Sequence, residues 1–535
     1  MKTAIVIVAL LLVTAASVWR YSQPAPIEMT SSTSYLVDWP ERVTIKTQRG
    51  TATGLSNGDS LAFLGLPYAR PPLGERRFRP PQPLSESYGD VDATDFPNIC
   101  IQDAAPTFFG ADSFKRSEDC LYLNIFTPSA EGKSRPVLVW IHGGSSAGSA
   151  NGTDGSILAE QGDVVVVAVN FRVGMLGFLD LSGYGDEYLG SASNGIRDQI
   201  QALQWVRDNI GDYGGAKENV TIFGESAGGQ AVLAIMSAPS ADGLYHKAIA
   251  HSGGDVNKPP IEARARLAKE LGVDEGALLE KLQTLPIESL LRVQAAFDWG
   301  DPGSVDGTVV TRSVKDAIID RGAEGVPLIA GSNRDEGKLF AYVIPEFLHG
   351  LVLESVAGNI LENMDGEQYI AALETAFPED DSSQIFERVW NDELARSSLN
   401  AAVRASAAGP GGWLYRFDLP VQRIPELGAA HAAEIAFTFN QFARELPATA
   451  YLYDPHDTTV RQLANDWSNT VIQFAKTGNP NGAGLPAWPR YTAETRRVLI
   501  LDDISRVVSN PYAADRARWG DTETKSSEYM ISTSP

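Results

Sequence analysis

Five short runs in this chain are rich in β-branched and aromatic residues: Val137–His142 (VLVWIH), Val164–Val169 (VVVVAV), Asn219–Phe223 (NVTIF), Pro327–Gly331 (PLIAG) and Trp413–Phe417 (WLYRF). A strand with one face in water alternates apolar and polar residues, and several of these do not. They suit strands covered on both faces, the condition of a buried parallel sheet. Between them lie segments of helical period. In Asp198–Asn209 (DQIQALQWVRDN), Ile200, Leu203 and Val206 share one face, and Ile261–Leu271 and Leu463–Lys476 are further helix candidates. Strands alternating with helices from residue 60 onward predict an α/β fold, a large and mostly parallel central sheet flanked by helices.

No internal repeat, low-complexity tract or Pro/Gly/Ser linker interrupts the 535 residues, so one catalytic domain is expected over residues 23–535. The first 22 residues are read apart from it. They carry one Lys, an apolar run from Ala4 to Ala16 and then Ser17, a run too short to span a bilayer comfortably. This is the pattern of a signal peptide and predicts an exported protein. An uncleaved anchor, with Trp19, Arg20 and Tyr21 at the membrane interface, is the alternative. The formal net charge of -23 repels phosphate backbones and argues against nucleic acid as a partner. The two cysteines, Cys100 and Cys120, are expected to form one disulfide in an exported chain. A loop of this size gains about 3 kcal/mol from closure in the chain-entropy model.

The pattern G-x-S-x-G occurs three times, centred on Ser56 (GLSNG), Ser146 (GSSAG) and Ser226 (GESAG). A nucleophile elbow needs a strand running through a tight turn into a helix, whose N-terminus faces the developing oxyanion. Ser56 adjoins the turn signal Asn57-Gly58. Ser146 leads into a stretch that cannot start a helix. Ser226 follows NVTIFG and opens SAGGQAVLAIMSA, which fits. A serine nucleophile needs a histidine base, and the histidine needs a carboxylate. In this architecture the chain order is Ser, acid, His. His246 and His251 follow Ser226 too closely to leave room for the acid, and His349, His431 and His456 all remain open on order alone.

The chain resembles the type-B carboxylesterases, the family that includes cholinesterases and some lipases. The resemblance runs through FLGLPYARPPLGERRFRPPQP (Phe63–Pro83), SEDCLYLNIFTP (Ser117–Pro128), VLVWIHGG (Val137–Gly144), NFRVGMLGFL (Asn170–Leu179), NVTIFGESAGG (Asn219–Gly229), GSNRDEG (Gly331–Gly337), GAAHAAEIAFTF (Gly428–Phe439) and FAKTGNPN (Phe474–Asn481). It implies an α/β-hydrolase fold and an ester hydrolase acting through Ser226 as nucleophile, Glu336 as acid and His431 as base, meeting as one hydrogen-bonded relay above the sheet. Asp335 is expected to pair with Arg334 or close the turn. Ser252, in AIAHSGG, resembles a serine that helps hold the acid–base pair.

By the same resemblance the oxyanion hole is formed by the backbone N–H groups of Gly144, Ser145 and Ala227. The family's usual run of three glycines and an aromatic is replaced here by HGGSSAG (His142–Gly148). Ser145 still offers an N–H, but its side chain narrows the pocket or adds a hydroxyl. His142 is expected to orient this loop. The segment between Cys100 and Cys120 lacks the tryptophan with which cholinesterases bind quaternary ammonium, which disfavours a choline-ester specialist. Apolar or aromatic esters are expected instead, with Phe108 and Phe109 as candidate pocket walls. No metal or organic cofactor is expected. A lipase or amidase on the same site, and a non-catalytic binding protein of the same fold, are the rival readings.

Overall fold

The computed structural model describes residues 39–519 apart from 85, 86, 88, 103–113, 133, 145, 146, 295–302, 358–365 and 444–451. The strands in chain order are β1 (Glu41–Thr47), β2 (Gly50–Ser56), β3 (Leu61–Pro67), β4 (Gly89–Asp92), β5 (Ile99–Cys100), β6 (Arg116–Ser117), β7 (Tyr122–Thr127) and β8 (Arg135–Ile141). They continue as β9 (Val165–Val169), β10 (Gly215–Glu225), β11 (Lys247–His251), β12 (Leu328–Asn333), β13 (Gly412–Phe417), β14 (Arg497–Leu501) and β15 (Arg506–Ser509). One sheet runs β1-β2-β3-β7-β9-β8-β10-β11-β12-β13-β14-β15, with β4 paired to β2. Its centre, β9 to β14, is parallel throughout. Antiparallel strands flank it on both sides, so the sheet is mixed, with the expected parallel order confined to the middle.

The two-faced apolar runs do what their composition requires. Along β8 and β9, Val137, Val139, Ile141, Val165 and Val167 enter one core with the helices Asn194–Asn209 and Ala227–Met236. Their neighbours Leu138, Trp140, Val166 and Ala168 enter a second core against the helix Thr458–Thr477. That helix starts where Asp457 accepts from the backbone N–H of Thr459 and Val460, and stops at Gly478 in the left-handed region. Ile200, Leu203 and Val206 are buried, as their spacing predicts.

The Arg172 guanidinium donates bidentately to Asp198, Nε to Oδ2 at 2.8 Å and Nη2 to Oδ1 at 2.7 Å, with both side chains buried. Ser56 closes the β2–β3 hairpin, its Oγ accepting from Gly58 N at 3.1 Å, so this G-x-S-x-G match is a turn. Cys100 and Cys120 form the expected disulfide. No helix of the described residues is long and apolar enough to cross a membrane. Both facts are compatible with export. Residues 1–22, expected to be a leader, lie outside the described residues.

The strand order reverses between β8 and β10: from β8 the chain next adds β9 on one side, and from β10 it adds β11 on the other. Loops leaving the carboxyl ends of two such strands diverge and open a crevice. His142–Gly148 leaves β8 and Ser226 leaves β10, so both segments meet at this point.

Candidate active site

Ser226 sits between the end of β10 at Glu225 and the helix Ala227–Met236, with φ 58° and ψ −126°. Such a backbone is strained for any residue with a side chain and turns the Oγ out of the sheet. Hydrogen bonds hold it there: Ser226 N donates to His251 O at 2.9 Å, and Gln230 N donates to Ser226 O at 2.9 Å. The flanking glycines are required sterically. A Cβ at Gly224 would stand 2.5 Å from Gly228 O, and one at Gly228 would stand 2.1 Å from Ile141 O. As first residue of its helix, Ala227 has an N–H without an intrahelical acceptor.

Glu336 follows β12 at the start of the helix Glu336–Val343 and is fully buried. Its Oε1 accepts from Asn333 N at 2.6 Å and from Ser252 Oγ at 2.5 Å, and its Oε2 accepts from His431 Nδ1 at 2.5 Å. Ser252 therefore touches the carboxylate as the resemblance implied. Asp335 accepts from the Arg334 side chain and from Ala429 N at 2.9 Å, tying the acid's turn to the loop before His431. Two more residues at the site share the left-handed backbone of Ser226: Ser252 (φ 48°) and Ala432 (φ 67°).

With Nδ1 donating to Glu336, Nε2 is the open nitrogen of the imidazole. Among the described residues it has no hydrogen-bond partner, and it lies 3.2 Å from Glu225 Oε1. The structure thus brings His431 and Glu336 together and forms no hydrogen bond from His431 to Ser226 Oγ.

The electrostatics are those of a crowded acidic pocket. Burial alone would lower the His431 pKa, but the Glu225 and Glu336 carboxylates outweigh it and raise the group to about 9. Burial pushes Glu225 up to about 7, with His431 opposing and Glu336 adding to the rise. Burial, then Glu225 and Glu336, push Glu434 up to about 8. Asn333 bridges the cluster, its Nδ2 donating to Ala430 O and to Glu434 Oε2, both at 2.6 Å. Glu225, Glu434 and Asn333 were not singled out in the sequence. The available signals were a carboxylate at the end of an otherwise apolar strand, and Glu434 one helical turn after His431.

On the β8 side, Gly144 has φ 97°, and a Cβ there would stand 1.9 Å from Ala147 O. Ala147 N donates to Gly144 O at 2.6 Å to close the turn. His142 stacks on Phe171 with ring centroids 4.3 Å apart, and its Nδ1 meets Gly143 O at 2.9 Å. Burial lowers its pKa to about 4, so it is a neutral brace of this loop. Ser145 and Ser146 lie outside the described residues, as do Phe108 and Phe109. Phe114 is described and packs edge-on against Phe96. Among the described residues no group of three or more His, Cys, Asp or Glu side chains is arranged to hold a metal ion.

A strand–turn–helix elbow at the reversal point of such a sheet, beside a buried His–Glu pair from later loops, defines an α/β-hydrolase. Comparison with known proteins narrows the class. The Carboxylesterase family model matches residues 41–519. The chain is 36% identical over 492 residues to the para-nitrobenzyl esterase of Bacillus subtilis (strain 168), covering 89% of this chain and 98% of that one. It is 33% identical over 495 residues to the cocaine esterase of Homo sapiens, covering 83% and 84% respectively. Among solved structures, a carboxylesterase of Geobacillus stearothermophilus superposes with a TM-score of 0.78 at 34% identity, over 90% of this chain and 100% of that one. The chain belongs to the carboxylesterase family. It is an enzyme that hydrolyses carboxylic esters.

Proposed function

We propose that ester hydrolysis proceeds through an acyl-enzyme on Ser226, with His431 as general base and acid and Glu336 as its orienting carboxylate. One observation carries this reading: the buried 2.5 Å bond from His431 Nδ1 to Glu336 leaves Nε2 open, 3.2 Å from the carboxylate of the residue that precedes Ser226. In the first half-reaction Nε2 takes the Oγ proton as Oγ bonds to the ester carbonyl carbon. The C=O pair moves to oxygen, where the N–H groups of Gly144, Ser145 and Ala227 stabilise the charge. Collapse breaks the bond to the alcohol oxygen, which leaves with the proton from Nε2. Water then repeats the sequence on the acyl-enzyme and releases the acid. The imidazolium formed in each half is stabilised by Glu336, and by Glu225 when that group is ionised.

Apolar or aromatic esters are the proposed substrates. The absence of a tryptophan between Cys100 and Cys120 supports this, as does the similarity to a protein described as a para-nitrobenzyl esterase. We take residues 23–535 as one catalytic domain, with residues 1–22 as a leader removed on export. The test is Ser226→Ala assayed on a panel of nitrophenyl esters and with a fluorophosphonate probe. Turnover and labelling are both expected to vanish while the unfolding temperature stays close to wild type. A folded Ser226→Ala protein that keeps most of its turnover would overturn the assignment.

A further inference from the structure

An oxyanion loop works only if its N–H groups are fixed before the charge appears, because hydrogen bonds that must reorganise stabilise nothing at the moment of reaction. Of the segment His142–Gly148, none of the described residues belongs to a strand or a helix. At its start, Gly143 is pressed against the elbow, where a Cβ would meet Ser226 Cβ at 3.0 Å and Glu225 O at 2.5 Å. Its far end is held by a side chain from another part of the chain. Gln102 is fully buried; its Oε1 accepts from Gly148 N at 2.7 Å and its Nε2 donates to Gly148 O at 2.9 Å. The same Nε2 donates to Cys100 O at 3.1 Å.

This two-point pairing is specific to an amide. A carboxylate could accept from Gly148 N but would set an oxygen against Gly148 O, and an apolar side chain would satisfy neither. Gly148 approaches the start of the loop closely: it lies at φ 148°, and a Cβ there would stand 2.2 Å from Gly143 O and 2.5 Å from His142 Nδ1. The far end of the loop thus packs directly on Gly143 and the His142 brace at its start. Gln102 is two residues beyond the disulfide at Cys100, so the covalent closure anchors the residue that grips the loop.

We propose that Gln102 is the positioning residue of the oxyanion loop: it clamps Gly148 and so fixes where the N–H of Gly144 points. The proposal rests on the reading of that group, with the N–H of Ala227, as an oxyanion donor. It gives the disulfide-closed segment a part in the rate of the reaction, besides any part in substrate fit.

The test compares wild type with Gln102→Leu and Gln102→Glu, each normalised to active sites titrated with a fluorophosphonate. Two inhibitors report separately. An alkyl trifluoromethyl ketone adds to the serine and places a charged oxygen in the hole, whereas the product alcohol makes no such contact. Misplacing donors by a fraction of an ångström to an ångström should lower kcat/KM by about 10- to 100-fold. Affinity for the ketone should fall by the same factor, and affinity for the alcohol should stay within about twofold. A merely structural role would lower the titrated fraction or the unfolding temperature and leave the normalised kcat/KM and the ketone affinity alone, and that result in either variant overturns the proposal. If wild type itself is not inhibited by the ketone, the serine–oxyanion reading falls first. If wild type is inhibited and the variants match it, only the role of Gln102 falls.

Discussion

Replacing Glu225 by Gln keeps the volume of the side chain and removes its charge, and the consequence can be worked from the site. His431 is raised from its ordinary value of 6.5 to about 9, a difference of 2.5 pH units against the opposing effect of burial. At about 1.36 kcal/mol per unit this is roughly 3 kcal/mol in favour of the imidazolium. Opposite unit charges 3.2 Å apart attract by about 5 kcal/mol at an effective dielectric constant of about 20, which bounds what Glu225 alone can supply. Glu225 titrates near 7, so it is ionised in the range where His431 loses its proton, and its charge is felt there. Removing it should lower the His431 pKa by about 1–2 units. The base must be neutral to act, so activity is lost as pH falls through that pKa, and the acid limb should move to lower pH by the same amount. The plateau at high pH should drop, because the imidazolium of the transition state loses a neighbouring anion. The assay is kcat/KM for a soluble nitrophenyl ester from about pH 5 to about pH 10, which reports groups of the free enzyme. An acid limb left where wild type has it would refute the account of how Glu225 acts on His431.

Three further outcomes are expected. Asp198→Ala leaves the buried Arg172 guanidinium without its counter-ion and should cost about 3–5 kcal/mol in denaturant unfolding, and a cost below about 1 kcal/mol would contradict the burial described. Asn333→Ala removes the donor shared by Ala430 O and Glu434, and should lower kcat/KM by about tenfold while changing alcohol inhibition little; unchanged kcat/KM would mean the bridge is idle. Gly224→Ala drives a methyl into Gly228 O and Ile141 O, and should abolish fluorophosphonate labelling or folding outright, whereas a fully active variant would show that the elbow tolerates more space than the structure gives it.

The centre of the sheet was legible because a strand buried on both faces has little freedom in composition, and VLVWIH, VVVVAV and NVTIF declare themselves. The antiparallel flank was not. β1 (ERVTIKT) is largely exposed along its length, so water leaves no imprint of a second buried face on it. Between Pro345 and Pro410 the pattern was poorly matched, and the structure places the 27-residue helix Ser382–Ala408 there. That helix buries Asp392, Arg396, Ser397 and Ser398 alongside Leu394 and Leu399, so no clean apolar stripe marks its inner face. Within the site, Ser226 could be chosen on strand and helix context, but His431 could not be separated from His349 and His456 without the resemblance. His349 proves to be a buried residue whose Nδ1 pairs with Ser383 Oγ and whose Nε2 pairs with Ile344 O. Glu225, Glu434 and Gln102 were missed for a common reason: each matters through a partner far away in the chain, and a single sequence carries no trace of that distance.

Ser226, Ser252 and Ala432 hold a backbone that residues with a Cβ avoid, and all three adjoin the same cluster: Ser226 follows Glu225, Ser252 donates to Glu336 and Ala432 follows His431. The surrounding packing must restrain these turns continuously, so warming should release them before it melts the sheet beneath. Heat inactivation of this enzyme should therefore begin as a local slackening around the serine, with catalysis fading while the bulk of the molecule is still folded.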